Sequence, residues 1–469
     1  MKPEIFLSFG DYKAKFFFSD FFSGLLIAII ALPLSIAMGY QTIPLEVSSN
    51  GLQMGLITAI VAGLVVAILS GSKFQIGGPT ATFVVIIYNY CLDPEIGLLG
   101  VKLAMIFAGV LLIILGLVKA GKVMEFIPYP VIVAFMTGVG IMLLAGQIKD
   151  FLGINITGKS VLEKVLEIFK NLKYANPASC LIGVIGLIVI LVLQKVNRKI
   201  PGAFIAIIVC TAINIIMEKV GGGFGVQTIG SKYGDIEASF YLINFSDIAK
   251  VNFLKLILPS LSIAALVMIE ALLSAAAGDG VSKRKHNPNM ELIAQGVANI
   301  CVSLLGGIPA TGVYARTSAN ISSGAKSPLA GIIHGLMLLI MYLTLMDVVK
   351  FIPLPAFAAV LIVVAINISK FTLFSKAVRF GGKDSLIIFV TLLITLCVDL
   401  IYGLIAGLAL AFFLSMPQMA KKLTLDKFKG AISENGFSAY IESVDIKSGI
   451  VLQDDRPGFM SGGEISVGN

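Results

Sequence analysis

The residues of this chain that could do chemistry sit inside apolar runs, where a charge or a helix breaker needs a physical reason. Glu270 is the only charged residue in LILPSLSIAALVMIEALLSAAAG (256–278). It precedes Asp279 by nine residues, roughly 14 Å along a helix, too deep for so short a side chain to reach water. A carboxylate at that depth serves as a proton relay, a cation ligand or a counter-charge. Ser274, one turn on, shares its helix face and is placed to donate to it. Arg316 in TGVYARTSAN (311–320) is the matching cation. A charge at the bilayer centre costs about 2.5–3.5 kcal/mol, so it faces an aqueous cavity, snorkels to the interface or pairs with a carboxylate. Glu270 could be the static partner in that pairing.

The third feature is GGPTAT (77–82), a helix breaker directly before an apolar stretch. Gly77 and Gly78 let the backbone turn, Pro79 suits a first helical position, and Thr80 and Thr82 offer hydroxyls. A helix that starts in mid-membrane leaves four N–H groups unpaired and about half a positive charge at its end. Two such ends facing each other would bind an anion without metal or lysine. A simple kink is the plainer reading of GGP alone. Its echo as GGIPAT (306–311) argues for a site.

These residues need a membrane scaffold. The 469 residues are 57% hydrophobic and 13% charged, with a mean hydropathy of +0.96. Soluble domains carry about 25% charged residues. Apolar runs recur at the length that crosses about 30 Å of hydrocarbon. The expected segments are 20–39, 52–70, 79–91, 99–118, 128–147, 178–195, 201–217, 254–277, 290–305, 313–323, 328–347, 354–368, 385–399 and 401–418, an all-α polytopic membrane protein. The third and tenth are too short to cross alone and need an extended stretch before them.

With the N-terminus inside, cytoplasmic segments hold 23 of the 35 Lys and Arg residues and outside segments hold 11, with Arg316 apart. The excess places both termini in the cytoplasm and supports an even span number. SVLEKVLEIFKNLK (160–173) reads as an amphipathic helix on the outer surface. FIPYP (126–130) recurs as FIPLP (351–355), at nearly the offset of the GGPTAT echo. Two halves of seven segments each must run in opposite directions. Inverted repeats with interrupted helices in matching positions point to a secondary transporter's binding site.

Other chemistry is missing from the sequence. There is no nucleophile elbow, no HExxH and no phosphate loop, so an enzyme is not expected, nor a cofactor. Cys91, Cys180, Cys210, Cys301 and Cys397 have no CxxC spacing, so neither a disulfide framework nor a metal site is expected. The net charge of +8 is scattered between apolar runs and does not suggest a nucleic-acid partner. His286, in the basic turn SKRKHNPN (282–289), reads as a surface residue, and His334 as a packed histidine in an apolar span.

With these residues in view, the chain resembles the SulP (sulfate permease, solute carrier 26) family of anion transporters over about residues 15–420. The matching stretches are ALPLSIAMG (31–39), GSKFQIGGPTATFVV (71–85), FIPYPVIVAFMTG (126–138), IEALLSAAAGDG (269–280), NPNMELIAQGVANI (287–300) and GGIPATGVYART (306–317). The resemblance implies fourteen segments as two inverted seven-segment repeats, in a plasma (inner) membrane, usually as a homodimer. It implies a core (20–118 and 254–347) that moves like an elevator against a gate (119–253 and 348–418), after a cytoplasmic N-terminus (1–19). By position, the family's anion pocket falls on Leu34, Met38, Thr80, Ala81, Val313, Tyr314 and Ala315, its arginine on Arg316 and its coupling pair on Glu270 and Ser274. Leu34 stands where animal relatives often carry glutamine. The tail 419–469 is too short and too polar for the family's STAS domain, so no complete one is expected.

The expectation is a secondary active transporter of a small anion: sulfate, bicarbonate or a C4-dicarboxylate. Glu at 270 favours a proton over sodium as coupling ion, since a neutral glutamic acid crosses apolar surroundings while a sodium ligand should stay ionised. The alternatives are an uncoupled chloride/bicarbonate exchanger and an anion channel.

Overall fold

A computed structural model describes every residue except 1, 11, 123–127, 157, 159–160, 197–199, 222–223, 235–237, 243–247, 249–250, 280–284, 370–373, 375–381, 399, 401 and 415–469. The tail 419–469 and part of the 282–289 turn therefore lie outside the described residues. In chain order the elements are α1 (Glu4–Phe9), α2 (Phe17–Thr42), α3 (Gly51–Leu69), strand β1 (Gly77–Gly78), α4 (Ala81–Leu92), α5 (Gly97–Leu117), α6 (Tyr129–Leu152), α7 (Val161–Asn171), α8 (Pro177–Val196), α9 (Gly202–Gly221) and α10 (Ile229–Tyr233). They continue with α11 (Ile257–Asp279), α12 (Pro288–Leu304), β2 (Thr311–Gly312), α13 (Tyr314–Ser322), α14 (Leu329–Val349), α15 (Leu354–Ile368), α16 (Lys383–Cys397) and α17 (Tyr402–Leu414).

A helix stands at each expected segment. By length and composition, eight of the described helices can cross a membrane: α2, α3, α5, α6, α8, α9, α11 and α14. Their outward faces are apolar, as lipid requires; Leu181, Ile188 and Leu191 of α8 are exposed, for example. The amphipathic helix expected over 160–173 is α7, with Leu166 and Phe169 exposed.

The two FIP motifs mark helix starts. Pro128 caps α6 and Pro353 caps α15, both in extended conformation, and Pro130 and Pro355 sit in the first turn, where a fixed φ suits the helix and the missing N–H has no partner to lose. The other echo is displaced. Gly77–Gly78 are themselves β1, whereas β2 begins only at the last residue of GGIPAT.

Helices α2, α3, α5, α11, α12 and α14 pack mainly on one another, as do α6, α8, α9, α15 and α16. Small residues set the close crossings. A Cβ on Gly109 of α5 would lie 2.6 Å from the Gly296 carbonyl oxygen of α12, so the two backbones touch there.

Candidate functional site

Two short helices, each behind an extended stretch, meet at a buried strand pair. After α3 the chain runs extended through Gly77 and Gly78, and after α12 it does so through Thr311 and Gly312. The two stretches pair antiparallel, Gly77 opposite Gly312 and Gly78 opposite Thr311. Each opens a short helix, α4 behind Thr80 and α13 behind Val313. Both N-cap residues are extended, and neither end has a side-chain cap. The α4 and α13 N-termini therefore present backbone N–H groups that no cap side chain takes. The β1–β2 pair binds these ends into one unit.

The two ends differ in exposure. Thr80, Ala81 and Thr82 are buried, while Val313 is half-buried and Tyr314 and Ala315 are exposed. Leu34 and Met38 belong to α2, which packs on both α4 and α13; Met38 is buried and Leu34 half-buried.

Glu270, in the middle of α11, points at the start of α4. Its carboxylate accepts a hydrogen bond from the Thr80 hydroxyl at 2.9 Å and another from the Thr82 hydroxyl. The hydroxyls that the sequence offers to a ligand are thus committed to Glu270. Ser274 departs from the sequence expectation. Its hydroxyl donates to Thr317 Oγ1 at 3.0 Å, not to Glu270, and Thr317 Oγ1 accepts the Ile76 N–H at 3.2 Å.

Arg316 is 1% exposed. Its guanidinium donates from Nη2 to Ser35 Oγ of α2 at 3.0 Å, and Nη1 rests against Gly78. Its Nε and Nη1 have no hydrogen-bond partner among the described residues. Arg316 also has no carboxylate at ion-pair distance among them, so it is not paired with Glu270. The carboxylate and the guanidinium flank the two half-helix starts separately. A cation that lacks a counter-charge raises the local potential for anions.

The histidines split. His334 is buried with its ring against Gly63 and no hydrogen bond among the described residues. His286 is not a free surface residue: its Nδ1 lies 2.7 Å from Asp279 Oδ2. The sequence reading also missed a polar stripe on α12. Glu291, Gln295, Asn299 and Ser303 are all fully buried, one turn apart. Their spacing of four residues in an otherwise apolar run was the signal. The Glu291 carboxylate accepts from Ser70 Oγ and, at 2.8 Å, from Gln295 Nε2.

Paired interrupted helices opening from opposite halves of a membrane bundle are the architecture of a secondary transporter. The chain belongs to the Sulfate permease family, whose model matches residues 17–391. It is 35% identical over 415 residues to YvdB of Bacillus subtilis, covering 88% of this chain and 76% of that protein. It is 30% identical over 411 residues to the bicarbonate transporter BicA of Picosynechococcus, covering 86% and 70%. The solved transmembrane domain of a cyanobacterial BicA superposes with a TM-score of 0.71 at 26% identity, covering 82% of this chain and 96% of that one. The protein is therefore a polytopic membrane protein of an anion-transporter family, and family members are transporters and not enzymes.

Proposed function

We propose that this protein is a proton-coupled secondary transporter of a small anion (sulfate, bicarbonate or a C4-dicarboxylate), held between the N-termini of α4 and α13. The observation that carries this reading is the position of Glu270: its carboxylate holds the hydroxyls of Thr80 and Thr82 at the end where the anion must bind. An ionised Glu270 and an anion compete for that end, by repulsion and for the same donors. Protonating Glu270 removes the repulsion and frees a hydroxyl, so proton and anion load together.

Fourteen spans with both termini in the cytoplasm, a core carrying α4, α11 and α13 against a gate built on α6 and α15, elevator movement and a homodimer complete the proposal. The two groups of mutually packed helices support the division into core and gate. Proton is preferred to sodium because only a proton neutralises the carboxylate outright. Uptake of labelled sulfate, bicarbonate, fumarate and chloride by proteoliposomes, with and without an inward proton gradient, tests it. Accumulation of one of them that collapses with the gradient is the expected result. Sodium-driven or gradient-independent flux refutes proton coupling, and no flux of any anion refutes the site.

A further inference from the structure

The stretch leading into β2 has no neighbouring strand along residues 306–310 among the described residues, yet its backbone is paired as if it had one. The Ile308 N–H donates to Thr58 Oγ1 of α3 at 2.7 Å. Thr58 Oγ1 also lies 3.0 Å from the carbonyl oxygen of Ile308 and 2.7 Å from that of Met54, so its hydroxyl can donate to either. Two residues on, Ala310 gives its N–H to Asn299 Oδ1 of α12 at 3.0 Å and takes a hydrogen bond from Asn299 Nδ2 at 2.8 Å. The second Asn299 amide hydrogen goes to the Gln295 carbonyl at 2.9 Å. Both side chains are fully buried. A β-neighbour would likewise serve alternate residues. Here two side chains, from two helices, take its place. The next residues, Thr311 and Gly312, pass directly into the pairing with β1.

The first stretch is held differently. Ile76 N–H donates to Thr317 Oγ1 at 3.2 Å, and Asn320 Nδ2 donates to the Phe74 carbonyl at 3.0 Å. Both partners lie on α13. Any shift of the 306–312 stretch therefore moves α13, and through Thr317 and Asn320 it also moves the approach to α4.

We propose that Thr58 and Asn299 are positioning residues of the anion site: they fix the register of residues 308–312 and so aim both half-helix ends at the same point. This rests on the reading that the anion sits at those ends. Ahead of the β1–β2 pairing, Thr58 and Asn299 supply the side-chain partners that hold Ile308 and Ala310 at one height. Losing one acceptor leaves a buried N–H without a partner, which favours a shifted stretch over the native one.

The experiment uses the full chain in proteoliposomes, with Thr58→Val, Thr58→Ser and Asn299→Ala beside the wild type. It has two readouts: the KM for sulfate, bicarbonate or fumarate, and hydrogen–deuterium exchange of the amides of 306–316. Valine has nearly the shape of threonine without its acceptor, and serine restores the acceptor. Thr58→Val and Asn299→Ala are expected to speed exchange in 306–316 while α3 and α12 stay protected. They should raise KM about tenfold, the equivalent of about 1.4 kcal/mol. Thr58→Ser should behave as wild type in both readouts. Unchanged exchange in Thr58→Val and Asn299→Ala overturns the proposal, as does a Thr58→Ser protein as impaired as Thr58→Val. If the wild type carries none of the three anions, the anion-site reading fails, and the exchange readout still decides whether Thr58 and Asn299 hold the stretch.

Discussion

The Thr80 hydroxyl, at the N-cap of α4, lies 2.9 Å from a carboxylate oxygen of Glu270 on α11. That contact joins the proposed proton carrier to the helix end proposed for the anion. Glutamine at 270 is neutral at every pH, so it imitates the protonated state permanently. Glu270→Gln is expected to abolish accumulation driven by a proton gradient while anion exchange between compartments of equal pH continues. Tracer flux measured in both modes checks this. Gradient-driven accumulation at the wild-type level would assign coupling to another residue.

The threonines should act on the anion and on its pH dependence together. In Thr80→Val and Thr82→Val a hydroxyl is missing both from the carboxylate and from the anion. A lost hydrogen bond of about 1 kcal/mol corresponds to roughly a fivefold higher KM. Because the shared donor is gone, the ratio of KM at high pH to KM at low pH should also fall towards one. Thr80→Ser and Thr82→Ser should restore both the KM and the ratio. KM values at two pH settings across the four variants provide the check.

What the sequence made legible follows the physics of burial in lipid. Length and hydropathy located the helices, since each span must satisfy its own backbone and face hydrocarbon. Glu270 and Arg316 stood out because charge is costly there, and the structure places both beside the half-helix starts. Their partners were not legible. The Glu270–Arg316 pairing that charge alone suggested is replaced by hydroxyls, Thr80 and Thr82 for one and Ser35 for the other. Ser274 sits one turn from Glu270, yet its rotamer serves Thr317 on a different helix. Sequence spacing gives neighbours along one helix and cannot give the register between helices. The same limit hid Thr58 and Asn299, which act across a break in the chain, and it shifted GGIPAT ahead of the strand it leads to.

Gly78 offers a direct test of the Arg316 position. A Cβ there would fall on Arg316 Nη1, with the Ala59 Cα of α3 3.7 Å away. Gly78→Ala must displace the guanidinium from Ser35 or move β1. Overpacking of this kind costs about 1–3 kcal/mol, and transport is expected to fall at least tenfold, since the cation and the β1–β2 pair belong to the proposed site. Gly146→Ala, in α6, is the control: nothing lies within 4 Å of its added Cβ. It should be neutral or stabilising by up to about 1 kcal/mol, as alanine suits a helix interior better than glycine. Uptake and thermal stability of both variants decide the matter, and equal behaviour would place Arg316 elsewhere.

Asp20 predicts a stability effect without a part in binding. It is fully buried near the start of α2 and accepts the N–H of Lys326 at 2.6 Å, the N–H of Ser327 at 3.1 Å and the Ser327 hydroxyl at 2.7 Å. These groups lie just before α14, which packs along α2. One carboxylate thus ties the ends of two long helices together through charge-assisted bonds. Asp20→Ala leaves those donors without their acceptor, at about 1–3 kcal/mol for a buried group. Asp20→Asn keeps one carbonyl acceptor and should lose less. The chain has no tryptophan, so the melting of the purified protein is best followed by the loss of its monodisperse elution peak on heating. The expected order of midpoints is wild type, Asp20→Asn, Asp20→Ala. The KM for the anion should stay at the wild-type value below the transition in all three, because Asp20 touches neither half-helix start. A raised KM in Asp20→Asn without a lowered midpoint would show that the α2–α14 contact transmits to the proposed site, so that Asp20 holds the anion as well as the bundle.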